Sequence, residues 1–204
     1  MARIQLTVFD NGPYKLSGEN LTLRFGSEDV AVEAGSDIYL CRCGDSSNAP
    51  FCDGTHGKVG WVAEPPKEAK KKLVVWEGNT VRTVFNPNAC MHVFKCKPLK
   101  ELRKAELEGD SSAAAEIARV ARSCPSGALR YEAKGDTDIP VPSALDGADV
   151  HVIEGGEIRI QVPFEVSMDL QEGQAEDRAT LCRCGKSANK PWCDGAHKKR
   201  EGFR

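Results

Sequence analysis

The stretch CRCGDSSNAPFCDGTH at 41–56 packs three cysteines and a histidine into sixteen residues, and CRCGKSANKPWCDGAH at 182–197 repeats it. Eleven of the sixteen positions are identical, and each of the four candidate ligands recurs at an offset of 141 residues. So regular a duplication makes the two stretches copies of one internal repeat. Any fold for this chain has to present the same small constellation twice.

The nine cysteines of the 204-residue chain come in threes: Cys41, Cys43 and Cys52; Cys90, Cys96 and Cys124; Cys182, Cys184 and Cys193. An odd total leaves one thiol over, and partners one residue apart are badly placed for a disulfide. MARIQLTVFDNG at the N-terminus alternates like a strand and lacks the apolar centre of a secretory signal. No apolar run reaches the roughly 18 residues of a membrane span. The expectation is a reducing cytoplasm, where thiols hold metal rather than each other. A net charge of −2 with both signs interspersed gives no electrostatic case for a nucleic acid or a membrane as partner.

Three cysteine groups suggest three modules, 1–66, 67–134 and 135–204. At about 65 residues each, a hydrophobic core alone is marginal and a metal staple helps. Strand-like alternation marks IQLTVF, YKLSGENLTLRF and SDIYLCRC in the first, KLVVWEG and TVRTVFN in the second, and HVIEGG, EIRIQV and FEVSMDL in the third. One helix is expected, capped by Asp110, Ser111 or Ser112, with Ala114, Ile117, Ala118 and Ala121 as its apolar stripe and a stop before Cys124-Pro125. AEPPKEAKKK and GDTDIPVPSALDG read as linkers, HKKR as a solvated tail, and His151 as an ordinary strand residue. Phe51, Trp61, Trp192 and Phe203 read as core. The fold class is α+β and rich in β.

In each repeat, Cys41-x-Cys43 or Cys182-x-Cys184 can aim two thiolates at one metal from a single loop. Cys52 and His56, like Cys193 and His197, stand at i,i+4, so a helical turn aims that pair together. Asp53 and Asp194 fall where such a turn takes its cap. One tetrahedral zinc per motif would suit the same three Cys and one His, although C-x-C is not the usual zinc spacing.

The pattern C-x-C-x2-S-x3-P-x-C-D-G-x-H closely resembles that of the CDGSH iron–sulfur family, the mitoNEET-like proteins. Ser46, Pro50 and Asp53 match in one copy, and Ser187, Pro191 and Asp194 in the other; Thr55 and Ala196 depart from the name-giving serine, at a position that is not a ligand. The resemblance implies a [2Fe–2S] cluster per motif. Cys41 and Cys43 would hold the inner iron and Cys52 and His56 the outer one, with Cys182, Cys184, Cys193 and His197 repeating the arrangement. A neutral imidazole in place of a thiolate raises the cluster's potential, and its protonation would release the iron.

Cys90 and Cys96, in CMHVFKC, with Cys124 in CPSGAL, resemble a divergent single-cluster ferredoxin domain in which Val93 stands at the middle cysteine's place. Three thiolates suit a [3Fe–4S] cluster; a [4Fe–4S] cluster would need His92 or water at the fourth corner, and a cluster-free module with buried thiols is the alternative. The chain resembles a tandem CDGSH protein with an inserted ferredoxin-like module, expected to be a monomer whose two halves form an internal pseudo-dimer. One-electron transfer with a redox partner protein is the leading function. Storage of clusters or their donation to apo-acceptors is the alternative, and a zinc-stabilised interaction protein the third. No nucleophile–base pair or nucleotide loop argues for an enzyme.

Overall fold

The computed structural model describes residues 3–64, 71–139, 148–167 and 176–203. The first part holds β1 (Ile4–Val8), β2 (Tyr14–Ser17), β3 (Leu23–Phe25), β4 (Glu28–Val30), β5 (Ile38–Leu40) and a single helical turn, α1 (Thr55–Lys58). The middle part holds β6 (Val74–Glu77), β7 (Val81–Phe85), α2 (Leu99–Leu107), α3 (Ala113–Arg122) and β8 (Leu129–Ala133). The last holds β9 (Val150–Val152), β10 (Ile158–Ile160), β11 (Phe164–Val166), β12 (Ala179–Leu181) and a 3-10 turn, Ala196–Lys199. The fold is α+β and rich in β, as expected. No helix among the described residues is long and apolar enough to cross a membrane.

The two outer parts exchange strands. One sheet runs β11-β1-β2-β5 and the other β12-β10-β9-β3-β4. Thus β11 lies parallel to β1, with Phe164 opposite Ile4, and β3 lies parallel to β9, with Leu23 opposite Val150. Leu23 and Phe164 are separated by the same 141 residues as the cysteine motifs, so each half lends the equivalent strand to the other. The cause is alternation that buries one face of each short strand: Ile4 and Leu6 point inward around Gln5, and Ile38 and Leu40 around Tyr39. These side chains and Leu16, Leu23, Ile158, Ile160, Leu181 and Trp192 make one core spanning both halves.

The middle part has its own sheet, β6-β7-β8, and its own core of Val81, Ile117, Ala118, Ala121 and Leu129. Helix α3 carries the expected stripe and ends before Cys124. Its cap position, Ser112, makes no side-chain cap bond; Asp110 Oδ1 instead accepts from the Ser112 N–H at 2.8 Å and hydroxyl at 2.7 Å. Helix α2 was not expected. Its buried Glu106 accepts from the backbone N–H groups of Asn79 (2.9 Å) and Thr80 (2.6 Å), which pins the helix to the turn between β6 and β7. The linker prolines Pro65 and Pro66, the 66/67 module boundary and most of GDTDIPVPSALDG lie outside the described residues.

Candidate metal centres

Each motif begins as the last strand of its sheet ends. Leu40 of β5 bridges to Phe51 and Leu181 of β12 to Trp192, so the intervening loop folds back on itself. Ser46 Oγ donates to the Phe51 carbonyl at 2.6 Å, and Ser187 Oγ to that of Trp192 at 2.7 Å, which cinches the loop. Asp53 then ties loop to turn: Oδ2 accepts from the Ser47 N–H and hydroxyl, and Oδ1 from the Thr55 N–H. Asp194 does the same with the N–H groups of Ala188 and Ala196, both at 2.9 Å. The aspartates do not sit at the expected cap: Gly54 and Gly195, at φ 82° and 85°, occupy it, and each aspartate holds the first N–H of the turn from one residue earlier.

This scaffold brings the expected ligands together in pairs. Cys41 and Cys43 Sγ lie 3.7 Å apart, and Cys182 and Cys184 Sγ 3.8 Å apart. The Nδ1 atoms of His56 and His197 lie 3.4 Å from the sulfurs of Cys52 and Cys193. A tetrahedral metal with bonds of about 2.3 Å to sulfur and about 2.0 Å to nitrogen separates two sulfurs by about 3.8 Å, and a sulfur and a nitrogen by about 3.5 Å. Each pair therefore fits one metal. Among the described residues, only Glu157, Cys193 and His197 form a group of three or more ligating side chains within 4.8 Å. The four donors of a motif therefore do not all lie within 4.8 Å of one another.

Burial makes Cys43 and Cys193 poor anions without metal. It pushes Cys43 up to about 11 and Cys193 up to about 12. In the Cys182–Cys184 pair, the hydrogen bond from Cys184 lowers Cys182 while Cys184 itself is driven up, so the second ionisation is strongly opposed. A bound cation removes that opposition. Backbone N–H groups already point at the sulfurs, Gly44 at Cys41 (3.3 Å) and Gly195 at Cys193 (3.4 Å).

The third cysteine group gathers in the middle part. Cys90 and Cys124 are half-buried and Cys96 is exposed. Burial is the main cause that raises the Cys90 thiol; the His92 N–H, 3.3 Å from its sulfur, opposes the shift, and the nearby Cys124 and Cys96 add to it. His92 is exposed, with Nδ1 3.8 Å from the Cys90 sulfur. The loop carrying Cys90 packs on the second repeat: Asn189 Nδ2 donates to the Asn88 carbonyl at 2.7 Å, and the Met91 carbonyl oxygen lies 3.2 Å from where a Cβ at Gly195 would sit.

Two known families match. Residues 11–57 and 150–198 match the iron-binding zinc finger of CDGSH type, and residues 76–134 match the divergent 4Fe-4S mono-cluster family. The chain is a tandem CDGSH protein. Between its two CDGSH units it carries the divergent mono-cluster domain, and the iron-binding and 4Fe-4S matches together support an iron–sulfur protein. No curated protein and no solved structure matches it.

The two CDGSH loops of this protein abut. A Cβ on Gly185 would lie 2.3 Å from the Cys43 carbonyl oxygen, and one on Gly44 would lie 2.9 Å from that of Cys184. Arg200 closes the seam, donating to the carbonyls of Cys43 (3.2 Å) and Cys184 and to the Asp45 carboxylate. That corrects the reading of HKKR as a solvated tail. The aromatic assignments need a correction too: Trp192 and Phe51 belong to the core, but Trp61 and Phe203 stack on Arg42 and Arg183, the residues between the paired cysteines. His151 sits in β9 with Nε2 2.9 Å from the Gly26 carbonyl.

Glu157 was missed in the sequence reading. It is 3 % exposed, held by Arg159 Nε at 2.8 Å, and lies 3.6 Å from His197 Nε2. Strand register equates Ile158 with Tyr14, since they face Leu181 and Leu40, so Pro13 stands at Glu157's place in the first half. The two CDGSH centres are therefore not equivalent. Only a weak signal existed, the single acidic residue in GGEIRIQV just before the strand Ile158–Ile160.

Proposed function

We propose that this protein is a one-electron carrier with three centres. Two are [2Fe–2S] clusters, one held by Cys41, Cys43, Cys52 and His56 and the other by Cys182, Cys184, Cys193 and His197. The third is a [3Fe–4S] cluster on Cys90, Cys96 and Cys124, with His92 the nearest candidate for a fourth ligand should it be [4Fe–4S]. Bound iron–sulfur clusters supply one-electron couples.

One observation carries the reading: the three ligand loops touch in series. The Cys90 loop meets the second CDGSH loop through Asn88 and Asn189, and that loop meets the first at Gly44 and Gly185. The chain's own residues then set the properties of the series. Neutral His56 and His197 each remove a negative charge that a thiolate would bring, which places these sites above all-cysteine ferredoxins in potential. Arg200 and the Gly44 and Gly195 N–H groups add positive potential at the seam and the sulfurs. The shared core supports a monomer with an internal pseudo-dimer, and nine thiols suit a reducing, cytoplasmic setting. A carrier needs a redox partner protein and no catalytic group of its own.

The test is anaerobic purification with iron and sulfide analysis, followed by an EPR-monitored redox titration. Three reversible one-electron components support the reading, and a colourless zinc protein ends it. A second reading, donation of clusters to apo-acceptors, is favoured by Cys52 and His56, which are half-buried in contrast to their buried counterparts Cys193 and His197. Incubation with an apo-ferredoxin separates the two, because only donation transfers iron and sulfide along with the colour.

A further inference from the structure

Beside Cys96 runs an open groove of about 550 Å³. Trp76, Phe85, Leu99 and Leu129 give it an apolar floor, and Cys96 itself forms part of the wall. The rim is cationic. Lys97, Lys100, Arg103 and Lys104 line it, and none of the described lining residues is a carboxylate. Lys100, Arg103, Lys104 and Leu107 stand at the spacing of one helical face, so α2 presents them as a stripe.

Not all four charges are free. Arg103 donates to Thr83 Oγ1 at 2.5 Å and stacks on Trp76, and Lys104 lies 3.8 Å from Glu108. Lys97 and Lys100 are exposed, and Lys97 Nζ sits 5.8 Å from the centroid of Phe94. Phe94 is 61 % exposed and held at φ 58°, an uncommon conformation for an aromatic residue. Val74 and Leu107, at the groove, are also more than half exposed. An apolar centre, a charged rim of one sign and an aromatic residue held out to solvent are the anatomy of a transient protein interface.

We propose that this groove docks a small acidic one-electron carrier protein, which exchanges its electron through the Cys90, Cys96 and Cys124 site. The occupant follows from charge: a rim of lysine and arginine steers a negatively charged partner and repels a basic one. Its chemistry follows from Cys96, a proposed cluster ligand, in the wall. One electron leaves the reduced carrier and arrives at the cluster iron; no bond forms or breaks and no group is transferred. The proposal rests on the carrier reading above.

The probe is flavodoxin hydroquinone, an acidic one-electron donor, mixed in stopped flow with the cluster-loaded full chain. The wild-type second-order rate is high at low ionic strength and falls as salt is added. A Lys97→Glu/Lys100→Glu variant loses about tenfold in that rate and most of its salt dependence, while Lys97→Arg/Lys100→Arg keeps the wild-type rate. Dithionite, too small to need the groove, reduces all three proteins alike. A charge-reversed variant that accepts electrons from flavodoxin as fast as wild type overturns the docking site and leaves the carrier reading intact. Clusters that dithionite itself does not reduce overturn both.

Discussion

Asp53 and Asp194 show how single side chains build these sites, because each carboxylate joins a ligand loop to the turn that carries the histidine. Replacing Asp194 by Ala removes its hydrogen bonds from the Ala188 and Ala196 N–H groups, worth about 1 kcal/mol each, and unties His197 from its loop. The expected result is faster loss of one cluster's visible absorbance under a chelator, with the other cluster unchanged. Acid should also separate the two sites. Burial disfavours the His197 imidazolium more than Glu157 favours it, so the ring stays neutral below the ordinary imidazole range. The sign follows: that site holds its nitrogen ligand as pH falls and gives it up only at a lower pH. His56 is half-buried, and Pro13 stands where the other half has Glu157. Absorbance followed through falling pH is expected to drop in two steps, the later one abolished by His197→Cys. One simultaneous step would refute the asymmetry. The candidate residues of each motif could be picked out in the sequence because all four lie within one sixteen-residue stretch, where spacing dictates geometry. Glu157 and Arg200 were not, because each acts on a motif through a fold contact that no local pattern encodes.

Elements that meet only after folding are the ones sequence reading missed. Helix α2 has a thin apolar face, and part of what buries it is Glu106, a residue that signals exposure until its partners on Asn79 and Thr80 are known. Helix α3, with six buried apolar positions in ten residues, was legible for the opposite reason. The seam between the CDGSH loops is another such meeting, and it depends on glycine. Gly185 has φ +70° and no room for a Cβ beside the Cys43 carbonyl. Gly185→Ala combines left-handed strain of about 1–2 kcal/mol with overpacking of about 1–3 kcal/mol. The expected loss is about 3 kcal/mol, or roughly 6–12 °C in Tm. Gly60, at φ +62°, has nothing within 4 Å of its would-be Cβ, so Gly60→Ala should show the backbone strain alone. Equal losses in the two variants would mean that the seam is not tight.

At the scale of the whole molecule, the strand exchange decides what can fold apart from what. Strand-like alternation was legible for most of the strands, but their pairing was not, since short strands that pair across 127 or 160 residues leave no local trace. In the full chain, β1 is flanked by β11 and β9 by β3, so neither half completes its own sheet. Leu23 and Phe164 are both buried, and each sits against the first strand of the other half. A fragment of residues 1–64 lacks β11 but still contains β3, its equivalent. A second copy of the fragment can supply that strand, with β3 of each lying along β1 of the other, as the symmetry of a closed dimer requires. Light scattering after size exclusion should therefore find the iron-loaded fragment as a dimer with two cysteine motifs and the full chain as a monomer with the same two. Within the full chain, the tether makes that pairing intramolecular, and dilution does not undo it. A fragment that loads iron as a stable monomer would show that the borrowed strand is dispensable, and the two CDGSH units would then be independent.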